Sequence, residues 1–272
     1  MKTRLSTNLR AIVARSYVRV VGGNRELSWV FFEILLPLLN VSAYVFVYRA
    51  LGAPRQYEGF VILGGAMLAY WLNVLWSMAS QFYWEKEMGN LELFLIAPIS
   101  RVAILLGMAA GGLFMTSVRA ASILVMGVFL FGVQFQVRSW WALAAAFGLT
   151  MVALYGLGML LSSMFMLLGR NGWKLAAVLQ EPVYLAGGFY FPVKFLGMAV
   201  ALAASVIPLT LGMDAMRQLC FPEAAATAVM PLGAELSILA CLAVLFLWWA
   251  TLSLEHMERR GRETGRLTLK WQ

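Results

Sequence analysis

Histidine is all but missing from this chain of 272 residues, which contains one, His256. A zinc site built from histidines and acids, or a serine–histidine dyad in an apolar core, is excluded on that ground. Cysteine is scarce too. Cys220 and Cys241 are the two present, and they make neither a disulfide framework nor a metal motif. Charged residues are 12% of the chain, and Asp and Glu together number 13. No G-x-x-x-x-G-K-[ST] stretch occurs, so the chain carries no Walker loop for ATP. No three-plus-three inverted repeat with matched broken helices is visible, as many secondary transporters show, and nothing points to an ion-channel filter. A cleaved leader is not expected, because no small-residue site follows the first apolar run.

What fills the chain instead is apolar. Hydrophobic residues make up 62% and the mean hydropathy is +0.79. A soluble domain of this length could not hide that much apolar surface. In lipid the backbone must satisfy itself, which leaves helices or closed barrels. The runs are long and continuous rather than short and alternating, so an all-α membrane protein is expected.

Taken in order, residues 4–21 place Leu5, Leu9, Ile12, Val13, Val20 and Val21 at helical spacing among arginines. That pattern suits a basic amphipathic helix on an anionic leaflet, in preference to an ordinary solvated helix. Six spans are then expected, near 27–48, 60–82, 102–131, 139–168, 173–191 and 232–254. Between the last two, residues 195–206 and 209–219 are apolar but too short to cross, with Pro208 between them. They are expected as a re-entrant or interfacial pair. The whole of 1–272 is thus one transmembrane domain: an interface helix (1–26), a six-span bundle (27–254) and a tail (255–272).

The charge of +8 is unevenly spread. Six spans put both termini on one side. That side holds Lys2, Arg4, Arg10, Arg15, Arg19, Arg25, Lys86, Arg101, Arg170, Lys174 and the five tail cations Arg259, Arg260, Arg262, Arg266 and Lys270. The other side holds Arg49, Arg55, Arg138, Lys194 and Arg217. The excess assigns the termini to the cytoplasm and the re-entrant pair to the outside.

Three embedded charges stand out. Arg119 lies near the middle of the third span, and a charge there normally faces a partner or a wet cavity. Glu33 and Glu181, on two other spans, are the candidate partners. A buried ion pair locking the bundle is favoured over a substrate-binding charge. Tyr44, Tyr48, Trp71, Trp76, Tyr184, Phe189, Tyr190 and Phe191 could line a path, but such residues more often serve as core or interface belt.

The most polar internal stretch is YWEKEMGNLELFLIAPISR, from Tyr83 to Arg101. It is helix-like, is broken at Ala97-Pro98, and lies between two spans. It is either a connecting loop or a docking element for a soluble partner. Its residues Glu85-Lys86-Glu87-Met88-Gly89-Asn90-Leu91-Glu92, then Ala97-Pro98-Ile99-Ser100-Arg101, resemble the cytoplasmic stretch of type-2 ABC transporter permeases, E-[RK]-E-x-G-T-L-E followed by P-[IV]-S-R. GGFYFPV at 187–193 is similar to that family's G-x-x-[FY]-P, and Val206–Thr210 with Asp214, Ala215 and Arg217 resembles its N-P-L-[ST] and A-[LM]-R pair. Asn90, Met108 and Ile207 depart from the family pattern, where Thr, Lys and Asn are common.

The resemblance implies a permease that works as a homodimer or paralogous heterodimer, each copy bound to a separate ATP-binding cassette subunit. ATP and Mg would be held by that subunit; the permease would bind no cofactor or metal and catalyse nothing itself. It implies that Glu85, Lys86, Glu87, Gly89, Asn90, Leu91, Glu92 and Pro98 belong to a coupling helix, and that Gly187, Gly188, Pro192 and Pro208 shape the re-entrant region. The expected setting is a prokaryotic inner membrane and its lipids, with no nucleic acid involved. The expected cargo is a small amphipathic, drug-like or lipid-like molecule moved outward. The alternatives are a lipid-linked oligosaccharide or polysaccharide and, more remotely, a structural subunit that transports nothing.

Overall fold

The computed structural model describes residues 2–263 apart from 24, 26, 90–92, 94, 95, 98, 169 and 170. The elements are α1 (Lys2–Gly23), α2 (Leu27–Ala50), α3 (Gln56–Leu72), a π-helical segment (Asn73–Ala79), α4 (Gln81–Glu87), α5 (Arg101–Phe131), α6 (Trp140–Leu168), α7 (Asn171–Ala186), α8 (Met198–Ala204), α9 (Pro208–Cys220) and α10 (Leu232–Glu263). Short 3-10 helices at Val193–Leu196 and Pro222–Thr227 flank the α8–α9 pair. Among the described residues there is no strand, and the protein is all-α.

Among the described residues five segments are long and apolar enough to cross a membrane: Val30–Ala50, Gln56–Glu87, Arg101–Phe131, Trp140–Phe165 and Leu232–Met257. The bent pair α8–α9, folded by 112° at Pro208, makes a sixth if it is counted as one broken span. The expected fifth span differs from these. Its helix α7 has 16 residues, about 24 Å long against a hydrocarbon core of about 30 Å. Gly187–Pro192 continues the chain beyond it without helix.

The spans pack around the second. Of its most apolar stretch 78% is buried within the chain, against 17% for the first span and 22% for the last. Phe60, Ile62, Val74, Leu75 and Phe82 on that segment are all fully enclosed. The most extensive helix pairing joins α6 to α10, where the Ser163 and Ser253 hydroxyls are hydrogen-bonded to each other. The apolar faces of α2 and α10 that point outward include Phe31, Phe32, Leu39, Val244 and Trp248. They are suited to lipid or a second copy.

Helix ends follow local chemistry. Ser100 caps α5, its hydroxyl accepting from the Ala103 N–H at 3.0 Å. Gly132, at φ +68, closes the same helix by donating to the Val128 carbonyl. Pro208 occupies the first turn of α9, where a missing N–H costs nothing.

α1 lies along α5, and the contact has a definite cause. A Cβ on Gly107 would sit 2.8 Å from the Ile12 carbonyl, and one on Gly111 would sit 2.9 Å from the Ser16 carbonyl. Two glycines four apart thus form the small-residue groove that lets membrane helices approach closely. Ser16 donates to the Gly107 carbonyl at 2.8 Å, and Asn8 accepts from the Ser100 N–H at 3.0 Å. This splits the expected apolar stripe of α1. Ile12 and Val20 are half-buried, while Leu9, Val13, Tyr17, Val18 and Val21 remain exposed. The helix therefore uses one face on the third span and offers an apolar face outward.

Candidate functional site: a coupling end, a charged cavity and a clamped re-entrant loop

The second span does not stop at Phe82. It runs through the π-helical segment into α4, so Glu85, Lys86 and Glu87 form its last helical turn. Gly89 follows at φ +76, exposed, and its N–H bonds back to the Lys86 carbonyl at 3.0 Å. Beyond Gly89, Leu93 and Ile96 are again helical, and the Ala97 N–H donates to the Leu93 carbonyl at 3.1 Å. Glu85 and Lys86 are buried, whereas Glu87 and Met88 point out. Glu85 pairs with Arg15 of α1 and accepts from Gln81 Nε2 at 2.6 Å. Asn90, Leu91, Glu92 and Pro98 lie outside the described residues.

A cavity of about 790 Å³ opens between α1, α2, the second span and α5. Its charged lining is Arg15, Arg19, Glu33, Glu85 and Arg119. Of the two partners considered for Arg119, Glu33 forms the ion pair. Glu181 is exposed on α7, beside Pro182, and is approached by Gln180 Nε2 at 3.5 Å. Gln180 also accepts from the Trp76 indole, tying α7 to the second span. At the cavity wall, Asn73 accepts from the Tyr155 hydroxyl at 3.3 Å. Asn73 opens the π-helical segment, a distortion often found at functional positions.

The loop that follows α7 is held from inside by Arg217. This side chain is buried, and Nη2 donates to the carbonyls of Gly188 (2.6 Å), Phe189 (3.1 Å) and Phe60 (3.2 Å). Its guanidinium also lies 5.0 Å from the centre of the Phe60 ring. The loop presses on the second span so closely that a Cβ on Gly64 would fall 1.6 Å from the Phe189 carbonyl. Gly188 takes φ +73 in the same loop. On the first span, the Tyr48 hydroxyl donates to the Tyr190 carbonyl at 3.0 Å, and Tyr44 stacks on Tyr190 with ring centres 3.9 Å apart. Pro192 precedes the 3-10 turn, and Pro208 marks the bend. Among the expected aromatics, Trp71 and Phe189 are core, while Trp76 lines the cavity.

A second cavity, of about 660 Å³, lies between α3, α5 and α6 and is almost wholly apolar. The Tyr70 hydroxyl donates to Ser117 Oγ there at 2.9 Å. Among the described residues no three acids, histidines or cysteines are placed to hold a metal.

The sequence profile of the family described as "ABC-2 type transporter" matches residues 7–221. The chain belongs to the ABC-2 type transporter family. The match runs from α1 to the end of α9, so it takes in the Glu85–Glu87 turn, the charged cavity and the loop clamped by Arg217 in this ABC-2 permease. Among curated relatives, the inner membrane transport permease YadH of Escherichia coli (strain K12) is 30% identical over 162 residues. The YadH proteins of E. coli O157:H7 and Shigella flexneri match to the same extent. The aligned part is 57% of this ABC-2 chain and 62% of YadH, under two thirds of those relatives' length.

Two functional features escape a reading of residue types. Arg15 and Arg19 look like leaflet-binding charges, and Arg217 looks like one more loop cation. The helical spacing of Arg15 and Arg19 was legible, but not which residues they would face.

Proposed function

We propose that this ABC-2 permease is the membrane subunit of an ATP-driven exporter of the inner membrane, acting as a dimer with a separate ATP-binding cassette subunit. The observation that carries the reading is the continuity of the most buried span with the acidic turn at Glu85–Glu87. A push on that turn by a soluble partner has no flexible joint to dissipate it before it reaches the core. ATP-driven closure of two such partners is the kind of rigid-body motion that a packed bundle converts into switching. ATP and Mg belong to the partner in this scheme, and the permease contributes no catalytic group.

Burial divides the labour within the turn. Glu85, locked to Arg15, holds α1 to the second span, while Glu87 is free to face a basic patch on the partner. The cytoplasmic location of both termini follows from the bias of basic residues, and outward movement of cargo is what the resemblance to exporters of this family implies. A small amphipathic or lipid-like cargo fits better than a glycan. The Tyr44 and Tyr190 rings stack on each other, which leaves those faces unavailable to sugar rings, whereas the apolar cavity beside α5 suits an acyl chain.

The test is coexpression with an ATP-binding cassette subunit. The parental pair should copurify, and the permease alone should show no ATP turnover. Glu87→Lys should weaken copurification about tenfold while leaving insertion and thermal stability unchanged. Glu85→Lys should lower stability as well. Equal copurification of the parent and Glu87→Lys, or ATP hydrolysis by the isolated permease, would overturn the reading.

A further inference from the structure

The charged cavity has a feature that coupling does not require. Among the described residues its charged side chains are three guanidiniums and two carboxylates. Arg15 is paired with Glu85, and Arg119 with Glu33. Both acids are thereby committed. Arg19 is left over, and among the described residues no carboxylate pairs with it. It is half-buried rather than extended into solvent. Its Nε lies 3.5 Å from where a Cβ on Gly112 would be, and Asn73 Oδ1 lies 2.6 Å from that same point. The bare glycine thus makes the space into which the guanidinium reaches.

A cation that makes no direct ion pair among the described residues, in a cavity walled by membrane helices, is costly, and such charges mark sites where a counter-charge arrives. Guanidinium is the group best matched to phosphate, because its planar fork donates two parallel hydrogen bonds. The opposite wall is apolar: Phe32 and Leu36 of α2 line the cavity with half or more of their surface exposed. A polar floor with one surplus positive charge faces an apolar flank. We propose that this cavity binds an anionic amphipath, with Arg19 holding its phosphate group and α2 meeting its hydrocarbon. The inference rests on the export reading and narrows its cargo to anions carrying phosphate.

The experiment uses the full-length permease purified in dodecyl maltoside and a fluorescent short-chain phosphatidic acid, read by anisotropy. The probe should bind, and short-chain phosphatidic acid should displace it at about tenfold lower concentration than short-chain phosphatidylcholine. Arg19→Gln should weaken binding about tenfold or more, and Arg19→Lys should restore part of the loss. Displacement by inorganic phosphate alone at millimolar concentration would identify a free-phosphate source for the same site. Displacement only by the phosphatidic acid would identify a lipid headgroup. Unchanged binding in Arg19→Gln overturns the proposal. So does equal displacement by the two lipids from the unaltered protein, a result that needs no variant to fold. The assay contains no ATPase subunit, so failure to find that partner sinks the exporter reading and leaves the site intact. Loss of charge discrimination sinks the site and leaves the exporter reading intact.

Discussion

Replacing Arg217 by Met tests the re-entrant architecture directly. The substitution keeps an unbranched chain of similar reach and removes the guanidinium. Three carbonyls lose a donor: those of Gly188, Phe189 and Phe60. Phe60 lies within α3, whose own ladder serves its oxygen. Gly188 and Phe189 lie in the non-helical loop and have no such ladder. Two buried acceptors are then unmatched, at roughly 1–3 kcal/mol each. Removing a buried charge returns part of its desolvation cost, so the net loss should fall near 2–4 kcal/mol. Equilibrium unfolding in mixed dodecyl maltoside and SDS micelles, followed by tryptophan fluorescence, measures it. Arg217→Lys, with one compact ammonium in place of the fork, should lie between parent and Arg217→Met. A loss below about 1 kcal/mol in Arg217→Met would refute the view that this side chain clamps the loop to the second span.

Other substitutions probe the remaining contacts. Gly107→Leu should separate α1 from α5, because even a Cβ there meets the Ile12 carbonyl at 2.8 Å. The expected cost is about 1–3 kcal/mol in the same unfolding assay, and an unchanged midpoint would show that α1 is not seated in the groove. For topology, Phe195→Cys in a background lacking Cys220 and Cys241 places one thiol on an exposed turn. An impermeant maleimide should label it in intact cells, and labelling only after permeabilisation would invert the orientation derived from the basic residues.

Long apolar runs are where sequence alone was sufficient. The spans expected at 102–131 and 139–168 are the helices Arg101–Phe131 and Trp140–Leu168. The first span begins at Leu27, as expected, and runs two residues past Tyr48, to Ala50. The physical reason is that a backbone in hydrocarbon must close every hydrogen bond within its own segment, so an unbroken run becomes a continuous helix, whereas the run at 173–191, which carries Gly187-Gly188, is helical only to Ala186. Pro208 as the bend of the re-entrant pair was readable for the same local reason, since proline suits a first turn and ends whatever precedes it.

Charge pairing was decided only by tertiary structure. Arg15 and Glu85 are separated by 70 positions, and nothing in either neighbourhood specifies that α1 will lie along α5 and bring them together. Gly107 and Gly111 show the spacing of a helix groove but not its occupant. Arg119 announced that it needed a partner, and packing chose Glu33 over Glu181 by turning Pro182 and its neighbour outward. Arg217 is bound to backbone carbonyls, which every residue carries and no residue type signals. Run length is a property of one segment and is written in its order. The environment of a charge is a property of several segments at once, and exists only when they have packed.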